Sequence, residues 1–181
     1  MKHVAKILLI PVIVLGVLLF SCRRIEEYPI EPVIKYDNFI LLLNTQTGKT
    51  ERGVLSISYT DGDGDLGLDP DDTLPPFDKG SNYYYNILIK YFEKQNGTFV
   101  EVPLLSWNPE EQTYDTITFN GRFPNLTPIH GNKNIKGVIQ DTMYVNNPLS
   151  DFDTIKFKVA IYDRALHLSN EVETPEIVVL K

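Results

Sequence analysis

Three aspartates in alternate positions, Asp61, Asp63 and Asp65, are the residues of this chain best suited to chemistry. They lie in the run Tyr59-Thr60-Asp61-Gly62-Asp63-Gly64-Asp65-Leu66-Gly67-Leu68-Asp69, where glycines separate the first acids. Carboxylates at every second position, on a backbone made pliable by glycine, let one short loop wrap its oxygens around a hard cation. Calcium takes roughly 6–8 oxygen ligands, and alternating aspartates supply them. Acids this close repel one another unless a cation or solvent screens them. A solvated acidic turn is the other reading of the same residues, and spacing alone leaves both open.

The run resembles in part the calcium loops of EF-hands and dockerins. Asp61, Asp63 and Asp65 fall at the first, third and fifth positions, and Asp69 and Asp72 at the ninth and twelfth. The resemblance therefore implies calcium as cofactor and Asp69 as a further ligand. Two departures stand against a full match. Leu66 occupies the place of the sharp-turn glycine, and Asp72 replaces the bidentate glutamate. The flanking residues also read as strands rather than helices.

The catalytic inventory is otherwise thin. His130 and His167 show no metal-ligand spacing, and the chain has neither GxSxG nor a P-loop. Ser169 lies two residues from His167, but chain neighbours do not make a triad. Glu110 and Glu111 are adjacent, whereas a glycosidase pair must converge across a cleft. His167 reads as an ordinary loop residue, and the chain as a non-enzyme. Trp107 with Tyr83, Tyr84 and Tyr85 could form a stacking platform for sugars, or simply fill a core. A carbohydrate-binding surface protein of a glycan-uptake system is thus the alternative to a non-catalytic binding or envelope-assembly role.

The elements that must position these groups read as strands throughout. Residues 39–43 form a short apolar run, and residues 54–59 are rich in β-branched and aromatic side chains. Residues 83–93 and 98–105 flank Asn96-Gly97, a strong hairpin signal. Residues 106–114 read as a loop, with short strands at 116–119 and 138–145. Residues 153–162 alternate cleanly, with Ile155, Phe157, Val159 and Ile161 inward and Lys156 and Lys158 outward. Residues 172–180 close the chain as a strand. No segment has a helical period, so the expected fold is an all-β sandwich.

The closing pattern, Val159-Ala160-Ile161-Tyr162-Asp163, then Ser169-Asn170, Thr174-Pro175 and a last strand, resembles immunoglobulin-like or fibronectin type III-like domains of bacterial surface proteins. In such a sandwich, the loop after the second strand and the loop before the last one share a pole. That brings Asp163, and with it Asn170, toward Asp61–Asp65 as a further metal ligand.

The N-terminus speaks to location. Lys2, His3 and Lys6 precede an apolar run from Ile7 to Phe20 of about 14 residues, shorter than the roughly 20 a bilayer span needs. Leu19-Phe20-Ser21-Cys22 then resembles a bacterial lipobox. The resemblance implies a signal peptide over 1–21, acylation at Cys22, a lipid-anchored tether over 22–36 and one β-sandwich domain over 37–181. The protein is expected outside the cytoplasm, held to a bacterial membrane, the outer membrane favoured, with the bilayer and an unknown protein or glycan as partners. Cys22 is the one cysteine, so no internal disulfide can form.

The full chain carries a net charge of −7. Residues 1–21 hold Lys2 and Lys6 and no acid, so residues 22–181 carry −9. Without a basic cluster beyond Arg23-Arg24, the mature chain is a poor ligand for nucleic acid. The phrase Tyr-Thr-Asp-Gly-Asp-Gly-Asp-Leu-Gly is similar to one in uncharacterised lipoproteins of the Bacteroidetes. Asp-Thr-aliphatic triplets at Thr73, Thr116, Thr142 and Thr154 resemble the O-glycosylation site of exported proteins of that group.

Overall fold

Alternation decides the deepest strand. Ile155, Phe157, Val159 and Ile161 are each at most 1% exposed, while Lys156 and Lys158 point outward and pair with Glu173 and Glu171. In the computed structural model, residues 26–130 and 133–181 are described. The residues read as a signal peptide, Cys22 and the first residues of the span read as a tether lie outside them.

The described residues form ten strands and no helix. They are β1 (Val33–Leu43), β2 (Thr50–Asp61), β3 (Ile87–Gln95), β4 (Thr98–Glu101), β5 (Leu104–Asn108), β6 (Thr113–Ile117), β7 (Ile135–Tyr144), β8 (Thr154–Ile161), β9 (Val172–Glu173) and β10 (Ile177–Val178). One antiparallel sheet runs β1-β2-β7; the other runs β10-β8-β3-β4, with β9 also on β8. This is the strand order of an immunoglobulin-like sandwich, in which the first, second and fifth strands face the third, sixth and seventh. Ile34, Leu55, Ile57 and Ile139 from the first sheet meet Ile89, Tyr91, Phe157 and Val159 from the second in one buried cluster.

Three of the differences from the sequence reading bear on the site or its frame. The first strand begins at Val33, inside the span read as tether, because Val33 to Tyr36 pair with Ile57 to Thr60 of β2. Residues 106–114 are not one loop: β5 and β6 pair as a separate two-stranded arm that puts Trp107 opposite Tyr114. The closing strand is split, since Pro175 interrupts it between β9 and β10.

Two polar residues fasten the loops to this frame. Asn86, buried, accepts from the Phe123 N–H and donates to its carbonyl, as a paired strand residue would. Asn170 does the same for Ile34. Asn170 thus closes the free edge of β1 and is not directed to the acidic loop.

Candidate metal centre

Asp61 is the last residue of β2, and the chain turns inward immediately after it. Leu66 is fully buried and Leu68 nearly so. This explains why leucine stands at 66 where a calcium loop has glycine: its side chain anchors the loop in the core, and the turn is made instead by Gly64 and Gly67, both with positive φ. Between the two buried ends, Asp61, Asp63 and Asp65 are gathered so that one oxygen of each lies within 4.8 Å of the others.

The polar bookkeeping around these oxygens is incomplete. The Asp65 N–H donates to Asp61 Oδ2 over 3.0 Å. Asp61 Oδ1, Asp63 Oδ1 and Asp65 Oδ1 are all buried without a hydrogen-bond partner. Orphaned buried carboxylate oxygens are costly, and three facing one another are costlier. Burial raises the Asp61 carboxyl, the charges of Asp63 and Asp65 add to this, and together they push it up to about 7. Asp65 is raised too, by burial first and then by Asp163 and Asp63. Such a group of oxygens can hold a metal ion, which would satisfy the orphaned atoms and reverse the mutual repulsion.

Asp163 arrives where the shared-pole argument puts it. It bridges Leu66 as an isolated antiparallel pair, and the Arg164 N–H donates to the Asp65 carbonyl over 3.2 Å. Its side chain is fully buried, but both oxygens are engaged by one residue. The His167 N–H donates to Oδ1 over 2.7 Å and the His167 Nδ1–H to Oδ2 over 2.8 Å. The hydrogen bond to Asp163, then its charge, raise the His167 imidazole. Asp163 therefore stands outside the gathered triad and adds negative charge behind Asp65. The pairing with His167 was missed from sequence; the four-residue spacing is its only local trace.

Asp69 is corrected. It is exposed and is not one of the gathered acids; its Oδ2 accepts from Asn125 Nδ2 over 2.9 Å and meets Arg164 at 3.4 Å. Arg164 also grips Asp72 with both nitrogens, at 2.6 and 3.3 Å. Burial works against ionising Asp72, yet the Asp69 N–H and Arg164 outweigh it and hold its carboxyl below the usual value. An arginine has taken the two acids that the calcium-loop resemblance would have used.

The remaining candidates are dispersed. Tyr83 packs edge-on against Tyr162 and Tyr84 against Tyr85, so they form no flat platform. Trp107, 51% exposed, meets Tyr114 edge-on at 5.1 Å on the β5–β6 arm. Ser169 is buried and accepts from the Ile161 N–H. Glu110, Glu111 and His130 are exposed. Thr73, Thr116 and Thr142 are exposed as well, and Thr154 is half-buried at the start of β8. Among the described residues no helix is long and apolar enough to cross a membrane. No family model matches this chain, nor does any curated protein or solved structure.

Proposed function

We propose that this chain is a non-catalytic lipoprotein of a bacterial cell envelope whose sandwich carries one structural calcium ion on Asp61, Asp63 and Asp65. The observation that carries the metal is the set of three buried Oδ1 atoms with no partner. Calcium is favoured over other metals because the donors are all carboxylate oxygens on a glycine-rich loop, a hard and adaptable set without sulfur or nitrogen. Backbone carbonyls and water complete its shell. Asp163, locked by His167, acts behind Asp65 by charge rather than by contact. The ion supplies no reaction chemistry; it neutralises the loop and fixes one pole of the domain, where a protein or glycan partner would dock.

Anchoring at Cys22 rests on the sequence pattern, and the same pattern supports the extracytoplasmic, outer-membrane setting. Modification is proposed first at Thr73, which is exposed on the loop after the acidic run. The second reading, sugar binding, draws on the exposed Trp107 beside Tyr114, an apolar ring face of the kind sugars stack on.

Calorimetric titration of the protein with calcium, magnesium and zinc tests the central reading. Calcium is expected to bind in one-to-one ratio, more tightly than magnesium, and Asp63→Ala to abolish the heat. No heat at millimolar calcium, or binding confined to zinc, contradicts it.

A further inference from the structure

A second carboxylate stands where a sandwich ordinarily has an apolar residue. Asp141 lies on the inner face of β7, between Ile139 and Met143, opposite Leu55 of β2. It makes no ion pair among the described residues. Burial raises its carboxyl, and only the Thr142 N–H opposes this. Glu93, a buried carboxylate on the facing sheet, shows the contrast: Tyr91, Gln95, Asn147 and Ser150 all donate to it.

What lies in front of Asp141 is a cavity of about 520 Å³ between β7 and the root of the β5–β6 arm. Tyr91, Leu104, Ile117, Phe119 and Met143 line it with Asp141. The volume falls within the roughly 300–1,000 Å³ of small-molecule sites, which pair apolar walls with a few polar anchors. The arm forming one wall is hydrogen-bonded as a sheet only to itself, so it can adjust without breaking the sandwich.

We propose that this cleft binds a small organic cation with an apolar body, its ammonium group on Asp141 and its apolar part against Leu104, Ile117 and Phe119. A cation supplies the charge partner that this half-buried carboxylate lacks. The ring faces of Tyr91 and Phe119 attract the same charge, and the acidic surface of the protein favours cations over anions at encounter. β7 is a sheet edge, and an inward charge on an edge strand also discourages pairing with another chain. That role alone requires no cavity in front of the charge.

The test is titration of the protein with 2-phenylethylamine and with 3-phenylpropionate, an anion of the same shape, followed by amide chemical shifts. The amine is expected to shift Leu105, Ile117, Thr142 and Met143 saturably, and the anion to bind at least about tenfold more weakly, as loss of a charged hydrogen bond implies. Asp141→Asn should remove the preference for the amine. Should that variant not fold, Ile117→Trp, placed on the exposed arm, should fill the cleft and block the amine. Equal shifts from both probes, or no saturable shift from the amine, overturn the proposal. Self-association of Asp141→Asn, with no amine binding to the unaltered protein, assigns Asp141 to edge protection only and overturns it too.

Discussion

The Gly62 N–H donates to the Pro29 carbonyl over 2.7 Å, which fastens the acidic loop to the segment leading back toward Cys22. A side chain at Gly62 would overlap the carbonyls of Tyr28 and Pro29, so only glycine permits the approach. Tyr28 in turn donates its N–H to Asn134 Oδ1 over 3.1 Å. The proposed metal loop, the start of the domain and the approach to β7 therefore meet at one junction.

Gly62→Ala is expected to part the N-terminal segment from the loop while leaving all three carboxylates in place. Amide exchange at residue 62 and at Tyr28 should accelerate, and the domain should lose about 1–3 kcal/mol in denaturant unfolding. Calcium should still bind, more weakly. Unchanged protection of the residue 62 and Tyr28 amides would show that the junction is not held through Gly62.

Acidity should act in an unusual direction on the metal-free protein. The Asp61 carboxyl stands at about 7 in the fold against an ordinary 3.8, so the fold prefers it protonated. Its stabilising contribution is complete below that ordinary value, declines as pH rises through the interval and is gone above about 7. Asp65 is raised as well and acts in the same sense. Asp72, held below its usual value, gains stability with rising pH but does so at the acid end of the range. With EDTA present, the melting temperature should therefore fall between about pH 4 and about pH 7, and saturating calcium should remove the fall by displacing protons. A flat or rising profile in EDTA would contradict the buried, unpartnered state of Asp61.

Arg122 holds the loop that comes after the acidic run. Its guanidinium donates to the carbonyls of Phe77 (3.3 Å), Tyr84 (2.8 Å), Asp69 (3.5 Å) and Asp72 (2.9 Å), and lies over the Tyr84 ring. Arg122→Ala should leave both sheets intact and make the chain between Asp69 and Tyr84 the first site of proteolysis. Arg122→Lys should rescue little, because a point charge cannot serve carbonyls spread around a planar fork. Equal resistance of wild-type and variant proteins to a limiting protease would remove Arg122 from this role.

Glu93 tests the other end of the sandwich. It is 1% exposed, and Tyr91 Oη donates to its Oε1 over 3.0 Å. Tyr91→Phe removes one of its four donors and should cost about 1.5–3 kcal/mol, the usual worth of a hydrogen bond to a charged group. Urea unfolding measures this directly. A cost under about 0.5 kcal/mol would mean that the remaining donors suffice.

How far these relationships could be read from sequence depended on range. The strand at 154–161 was legible because period-two alternation and burial are the same fact stated twice. The acidic triad was legible because its members are neighbours on the chain, and the approach of Asp163 followed from loop placement in a sandwich. The β5–β6 arm was not, because β6 is exposed along its whole length and so carries no burial alternation, and Asn108-Pro109 beside Trp107 reads as a turn. Asp69 was misassigned for a related reason: its partner Arg164 lies 95 residues away. Asn170 was expected at the acidic loop, but a side chain that completes the edge of β1 becomes visible only when β1 is known to start at Val33.

The most direct measurement is a thermal melt of residues 26–181, the span that contains both sheets and the core, in EDTA and then in calcium. Near 100 times the dissociation constant, binding to the folded state alone contributes about 2.7 kcal/mol. For a domain of this size that predicts a rise of roughly 5–11 °C in the midpoint, lost on Asp63→Ala. An unchanged midpoint at millimolar calcium would contradict the metal site and leave the three aspartates as a strained acidic turn.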